Sequence, residues 1–300
     1  MVKQSWNLLK RPFRKAQSII LRERGSQKEL ASLLGRIGSL EVRLARTEQE
    51  LLAAQELRYK VFYEEMSAGS GGEAHLFSRD EDKYDLHCDH LIVVDTERSG
   101  TSGTDPAMKI VGTYRLFRQS AAERIGGFYT QDEYDIEPLI RRHAGRRFLE
   151  LGRSCVLPEY RTKRTVELLW HGIWAYVGHH KIDVMFGCAS LEGTDIDRHQ
   201  DTLQLLASLN PAPKNWTVRA QDDRYVDMNF DAPNPKINKR AMLNLPPLIK
   251  GYLRLGAYIG DGAVIDYAFG TTDVLIILPV ENINPRYINY YGEDASRHAA

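Results

Sequence analysis

The sequence predicts an α/β fold in which a mixed central sheet is flanked by helices. Three observations carry this expectation. Short runs with a two-residue apolar period or unbroken β-branched content alternate with longer runs whose apolar residues recur at helical spacing. Their order (strand, helix, three strands, helix, strand) belongs to an α/β chain with a mainly antiparallel front half. With 43% hydrophobic and 27% charged residues among 300, the composition is that of an ordinary globular chain. It excludes wholesale disorder, a collagen-like repeat and a membrane-embedded channel.

Residues 1–24 differ from the rest. Lys3, Lys10, Arg11, Arg14, Lys15, Arg22 and Arg24 stand against one acid, Glu23, while Trp6, Leu9, Phe13 and Ile20 recur near helical spacing. This pattern suits a helix lying on an anionic membrane surface, and equally a solvated tail or a helix packed on its own domain. Residues 1–38 are read as a basic amphipathic segment, 39–291 as one domain and 292–300 as a tail.

The domain opens near Ser39, where Leu40, Val42 and Leu44 alternate with Glu41 and Arg43 as in a half-buried strand. Thr47-Glu48-Gln49-Glu50 has the form of a capping box, the threonine accepting from a free helix amide while Glu50 reaches back. It predicts a helix to about Met66. At about 100° per residue, Leu51, Ala54, Arg58 and Phe62 share one stripe, so Arg58 points where a core residue belongs. Gly69 to Gly72 marks a turn. Strands follow over 91–94, 109–117 and 147–157, then a helix over 165–180 and an apolar strand over 183–189. Residues 194–209 read as helix and 211–240 as proline-rich loop. A short helix over 248–255, a buried strand over 274–280 and an aromatic closing turn over 285–291 complete the chain.

Four segments place charge where the pattern expects apolar side chains: Arg58 in the first helix, Asp82 and Asp85 in EDKYD, Arg115 in VGTYRL, and Glu150 with Arg153 in LELGRS. Three arginines and three carboxylates are the balanced set that an enclosed cluster requires, because a lone buried charge is costly. Surface charges or a structural salt-bridge network would give the same pattern. Along 147–157, Glu150 and Arg153 have opposite parity and would face opposite sides of a regular strand. Gly152 lies between them. A bulge there would turn both to one face and free backbone amides to hold a thioester carbonyl or its oxyanion.

In that order and spacing, RYKVF, EDKYD, VGTYRL and LELGRS resemble the motifs of GNAT-like acyltransferases that take acyl chains from acyl carrier protein. One branch comprises the acyl-homoserine-lactone synthases. The downstream ELLWHGIWAYV, FGCASLEGTD and LPPLIKGYLRLGAYIGDGAVIDYAFGTTDVLIIL are more similar to the ornithine N-acyltransferases of ornithine-lipid synthesis, so the resemblance covers about residues 40–291.

The resemblance implies a GNAT-like acyltransferase fold and transfer of a 3-hydroxyacyl chain from acyl carrier protein to the α-amine of L-ornithine. The product would be lyso-ornithine lipid, made with no bound metal or redox cofactor. The amine is mostly protonated near neutrality, so a base must take its proton before attack; Glu150 is the candidate. Arg58, Phe62, Asp82, Asp85, Arg115 and Arg153 are the candidate substrate-binding residues. The acids would hold cationic groups, and the arginines would pair the carboxylate or brace the acids. Where enzymes of this fold that use coenzyme A place a glycine-rich phosphate loop, this chain has Arg161-Thr162-Lys163-Arg164-Thr165-Val166. Val156, Arg161, Lys163 and Arg164 are accordingly assigned to the 4′-phosphopantetheine arm of the carrier, whose single phosphate needs less backbone cradle. Arg141, Arg142, Arg146 and Arg147 form either a basic rim for the acidic carrier or a solvated loop. The rival readings are a signal synthase using S-adenosylmethionine and a non-catalytic, membrane-associated adaptor for acyl carrier protein.

Forty basic side chains against forty acids leave no excess for nucleic acid. No apolar run approaches a membrane span, and three separated cysteines argue for a reducing compartment. The expected location is cytoplasmic, with peripheral contact at the inner face of the cytoplasmic membrane through residues 1–24. His87, Cys88 and His90 lack a second ligand pair at zinc spacing, and no metal site is expected there. Cys155 and Cys188 read as core. Asp266 and Asp273 flank a turn at Gly270, either as strand-end caps or, by the resemblance, as site residues.

Overall fold

The computed structural model describes residues 30–66, 77–97, 110–230, 239–284 and 287. The basic segment 1–24, the turn at 69–72 and most of the closing turn at 285–291 lie outside the described residues. Among those described, no helix is long and apolar enough to cross a membrane.

Nine strands of the described residues form one sheet: β1 (Gly35–Ile37), β2 (Leu40–Leu44), β3 (Asp89–Asp95), β4 (Ile110–Arg118), β5 (Phe148–Val156), β6 (Val184–Glu192), β7 (Tyr225–Val226), β8 (Tyr258–Asp266) and β9 (Thr271–Pro279). Their order is β1-β2-β3-β4-β5-β6-β9-β8-β7. Neighbours are antiparallel except β5 and β6, which run parallel. Because β1 pairs with β2 from Gly35 onward, the folded domain starts ahead of the expected boundary at residue 39.

The helices are α1 (Glu48–Tyr59), α2 (Gln119–Ala122), α3 (Glu137–Arg142), α4 (Lys163–His180), α5 (Ile196–Leu209), α6 (Lys239–Asn244) and α7 (Pro247–Arg254). The capping box at α1 is present: Glu50 N donates to Thr47 Oγ1 and Thr47 N to Glu50 Oε2, both at 3.2 Å. After Tyr59 the helix loosens into a π-turn, Lys60–Glu65. The expected single helix to Met66 is thus two pieces.

Strand alternation sends successive side chains to opposite faces, and a separate core forms on each. On one face Val42, Leu91, Val93 and Met185 pack with Leu168 and Ile173 of α4, Leu203 and Leu206 of α5, and Tyr252 of α7. On the other, Phe117, Phe148, Phe186 and Leu275 pack with Phe128, Tyr134 and Leu139. There α1 also lays Ala54 and Leu57 on Ile92, Val94 and Ile110.

Sequence patterning did not reveal β8. Its alternation is interrupted at Gly260-Asp261-Gly262, where the register to β9 shifts between Ile259 and Ala263 and Gly262 takes φ 86°. A bulge carries the strand across the interruption.

The parallel strands β5 and β6 are in register only at Phe148↔Val184, Leu149↔Met185 and Glu150↔Phe186. Beyond that point β5 stays with β4 and β6 with β9, and the two part. Gly187 stands at the fork, where a Cβ would overlap the carbonyl oxygen of Leu151. Gly187→Ala should therefore cost about 1–3 kcal/mol and distort the fork. Thermal denaturation beside a turnover assay checks this, with both expected to fall.

Candidate active site

A cavity of about 240 Å³ fills the fork between β5 and β6. Because the gap pierces the sheet, its walls come from both faces. Met185, Ile276, Leu278, Leu248 and Tyr252 make one end apolar, whereas Thr130, Glu150, Cys188, Ser190 and Asp273 make the other polar.

The bulge expected in LELGRS is present, displaced by one residue. Thr113 pairs with Cys155 and Arg115 with Gly152, so Arg153 and Ser154 together face Tyr114. The residue in the left-handed region is Arg153, at φ 51°, and not Gly152. A side chain is held there only when its surroundings demand it. Here Asp80 Oδ2 accepts from Arg153 Nε at 3.1 Å, and the guanidinium lies over the rings of Tyr129 and Phe269, 4.7 and 4.6 Å from their centroids. The kink brings Arg153 and Glu150 to the same cavity.

The balanced charge cluster exists with a different membership. Arg58, only 1% exposed, donates to Asp85 Oδ1 at 3.0 Å and Oδ2 at 2.6 Å, and its Nε lies 2.7 Å from Asp80 Oδ2. Gln55 Nε2 adds a bond of 3.0 Å to Asp85, and Arg115 bridges Asp82 at 2.6 Å and Asp85 at 3.2 Å. The three acids are Asp80, Asp82 and Asp85; Glu150 is not among them. Burial alone would lift the Asp85 carboxyl, but the Arg58 and Arg115 guanidiniums overcome it and hold the group well below the usual carboxylate range.

Occupancy sorts the expected substrate-binding residues. Asp85 and Arg58 are saturated by each other and their neighbours. Asp82 Oδ1 accepts from Tyr84 N and Asp85 N, and Oδ2 from Arg115 and Arg153. None of Arg58, Asp82 and Asp85 lines the cavity, whereas Phe62, Arg115 and Arg153 do. The acids expected to hold cationic groups instead brace the arginines.

Glu150 is 4% exposed and sits in the polar wall. Oε1 accepts from Thr130 N at 3.0 Å and Thr130 Oγ1 at 2.8 Å; Oε2 accepts from Tyr129 N at 3.0 Å. Burial raises its pKa against the pull of Arg115 and these donors. A buried carboxylate with a raised pKa and one oxygen taking a single hydrogen bond is equipped to accept a proton.

A second set of acids joins Asp266 and Asp273, which the sequence singled out at the turn, to Glu133, which it did not. Glu133, Asp266 and Asp273 each place a carboxylate oxygen within 4.8 Å of the others. Asp266 Oδ1 caps the β8–β9 turn by accepting from Ala268 N at 2.8 Å and Phe269 N at 3.1 Å, so capping and cavity lining coexist at that residue. Burial, with the charge of Asp273 adding, lifts Glu133 to about 7; burial, with Asp266 adding against the Ser190 and Thr271 hydroxyls, lifts Asp273 to about 6. A carboxyl whose pKa is raised on folding contributes stability at low pH that is lost as pH rises through the folded value. Glu133→Gln removes that loss. The variant should unfold later than wild type at about pH 8, by about 2 kcal/mol, and the gain should shrink toward about pH 5; paired thermal melts at the two pH values check it. Among the described residues, the metal-type ligand atoms that converge are those of this triad, not those of His87, Cys88 and His90.

Cys155 packs in the core beneath α1. Cys188, also read as core, borders the cavity 4.0 Å from Thr130 Oγ1, and burial pushes its thiol pKa well up. Val156, Arg161, Lys163 and Arg164 lie past the end of the cavity, where β5 leads into α4. Arg161 Nη2 binds Glu65 Oε2 at 2.6 Å and Lys163 pairs with Glu167 at 3.3 Å. Arg141, Arg142, Arg146 and Arg147 sit before β5, at its opposite end from the bulge. Arg141 pairs with Glu137, Arg146 with Glu281, and Arg142 and Arg147 donate to backbone carbonyls. These contacts suit a structural corner of the fold.

Residues 57–171 match the domain family described as "Acetyltransferase (GNAT) domain", a span that contains the charge cluster, the bulge and Glu150. The chain is 53% identical over 270 residues to the L-ornithine N(alpha)-acyltransferase of Rhizobium meliloti (strain 1021), covering 90% of each. It is 54% identical to that of Brucella abortus (strain 2308), covering 89% of this chain and 94% of the relative. The chain belongs to the L-ornithine N(alpha)-acyltransferase family. It is an acyltransferase with a GNAT fold, and the family resemblance read from the motifs holds over nearly the whole chain. Among solved structures, the N-acyl amino acid synthase FeeM from uncultured soil microbes aligns at a TM-score of 0.39 with 10% identity, covering 81% of this chain and 91% of its own. The family assignment rests on the sequence relatives.

Proposed function

We propose that the protein transfers a 3-hydroxyacyl chain from acyl carrier protein to the α-amine of L-ornithine, releasing the carrier thiol and an amide-linked lyso-ornithine lipid. The observation that carries this reading is the cavity through the β5–β6 fork, apolar at one end and lined by carboxylates at the other. An acyl chain occupies the apolar end beside Met185, Leu248, Tyr252, Ile276 and Leu278, and the thioester reaches the fork at the bulge. The amino acid enters the polar end. Glu150 takes the proton of its α-ammonium at Oε2, and the freed amine attacks the thioester carbonyl. Backbone amides taken out of the ladder at the bulge face the developing oxyanion. The attacking nitrogen gives up its second proton as the carbon–sulfur bond breaks, the departing thiolate takes that proton, Glu150 returns the first to solvent, and the neutral amide remains.

Arg161, Lys163 and Arg164 at the start of α4 supply positive charge where β5 ends, suited to the single phosphate of the carrier's arm. Residues 1–24 would hold the enzyme at the inner face of the cytoplasmic membrane, where its product partitions. Liposome co-sedimentation of the full chain and of a chain lacking residues 1–24 tests that contact. For the reaction, the purified protein is incubated with 3-hydroxyacyl carrier protein and ornithine, lysine or S-adenosylmethionine, and products are identified by mass spectrometry. N-acylornithine supports the reading; an acyl-homoserine lactone, or no product, overturns it.

A further inference from the structure

Seven buried side-chain polar atoms of the described residues have no partner at hydrogen-bond geometry, and three belong to one wall of the site: Glu133 Oε2, Asp273 Oδ1 and Thr271 Oγ1. The polar neighbours they do have, the Cys188 thiol beside Glu133 and the Ser190 and Thr271 hydroxyls beside Asp273, are neutral. Glu133 is 2% and Asp273 6% exposed. Thr271, Asp273 and Asp266 line the cavity, and Glu133 closes the acidic triad behind them. Buried acceptors of this kind carry a full desolvation cost unless something donates to them.

Their charge is equally unmet. Asp80, Asp82 and Asp85 are matched by three arginines, whereas among the described residues the triad has Arg224, whose Nη2 lies 3.5 Å from Glu133 Oε1. Three buried carboxylates with one ion-paired guanidinium, and with the field of Arg153 reaching Asp273 while that arginine is itself bound to Asp80 and Asp82, are short of positive charge. The shortage is local to the reaction site. Glu150 Oε1 accepts from Thr130 Oγ1, and that hydroxyl lies 4.0 Å from Cys188 Sγ, which in turn contacts Glu133. The triad therefore stands one hydroxyl and one thiol away from Glu150.

We propose that Glu133, Asp266 and Asp273 form the subsite for the side-chain ammonium of the acceptor amino acid, and so select an acceptor with a second amine a short aliphatic chain from the one acylated. This rests on the reading that Glu150 deprotonates the α-amine of ornithine. The chemistry favours an ammonium over a metal ion. Three N–H donors match three oxygens, whereas a hard divalent cation seeks six or more oxygen ligands, and Asp266 Oδ1 already serves the turn. The acid–guanidinium cluster cannot take this role, since its acids are already paired.

The test compares ornithine with norvaline, which has the same carbon skeleton without the side-chain amine. In the wild-type enzyme kcat/KM should favour ornithine by on the order of 10²–10⁴. Glu133→Gln and Asp273→Asn should each raise KM for ornithine by about 10–100-fold and collapse the preference to within about tenfold. The glutamine variant is expected to be at least as stable as wild type at about pH 8, so its loss would not be one of folding. A preference unaltered in both variants overturns the proposal. A second readout needs no acyl donor: 1,4-diaminobutane should raise the melting temperature of the wild type and not of either variant. Protection by Mg²⁺ or Mn²⁺ alone that the variants lose would make the triad a metal site and overturn the assignment. If the wild type acylates no amino acid, the functional reading fails, yet the diamine shift still decides the subsite: present in wild type and lost in the variants supports it, absent in wild type sinks it.

Discussion

Glu150→Gln is expected to lower turnover by about 10²–10⁴-fold while leaving the fold intact. The carboxylate is held by Tyr129 N, Thr130 N and Thr130 Oγ1, and a glutamine oxygen can keep the Thr130 pair. Its amide nitrogen would then face the Tyr129 N–H, donor against donor, at a cost of about 1–3 kcal/mol. That penalty is too small to unfold a domain with two cores. The amide cannot accept a proton, so kcat should fall far more than KM rises. Because burial raises the carboxyl pKa, the wild-type rate should fall as pH drops through that raised value, and the residual activity of the variant should lack this limb. Steady-state rates across pH, with circular dichroism as the fold control, check it. A variant running at the wild-type rate removes Glu150 as the base.

Asp85→Asn is the other large effect, and it falls on stability. Removing one charge leaves the buried Arg58 and Arg115 to Asp80 and Asp82 alone, in a region where Arg58 and Asp85 are each 1% exposed. Breaking a buried ion pair from one side costs about 3–5 kcal/mol, which at this chain length lowers the melting temperature by on the order of 10 °C. The sign is fixed by linkage. A carboxyl depressed by its partners contributes stability above its unfolded pKa that is lost as pH falls, so the deficit of the variant should narrow in acid. Glu41→Gln is the control: its pair with Arg36 is solvent-facing, and its loss should cost less than about 1 kcal/mol. Equal melting temperatures for Asp85→Asn and wild type would show that the cluster does not hold the fold.

The local signals were legible because they are local. The capping box at Thr47 and Glu50 needs only adjacent residues, and it is made as read. The stripe through Leu51, Ala54 and Arg58 follows from helix periodicity and puts Arg58 inside. Opposite parity of Glu150 and Arg153 follows from the two-residue repeat of a strand and calls for a bulge, which the structure places at Arg153 and Ser154 and not at Gly152. The motif order carried the family. What the sequence left out was membership across space. Asp80 lies two residues from Asp82 yet gave no signal of its own, and Glu133 lies in a stretch without periodicity. Glu150 shares the region of the arginines but is turned to Tyr129 and Thr130.

Period and spacing thus determined the fold class, the first helix and the kinked strand, since each depends on residues a few positions apart, while the family came from the resemblance of the motifs to known acyltransferases. The tertiary structure alone decided which acids neutralise which arginines and which stand uncompensated at the cavity. Charge pairing is set by distances between segments that meet only when the sheet assembles: the turn after β8 comes beside the loop before α3, and β5 parts from β6 at Gly187. No one-dimensional pattern encodes those separations.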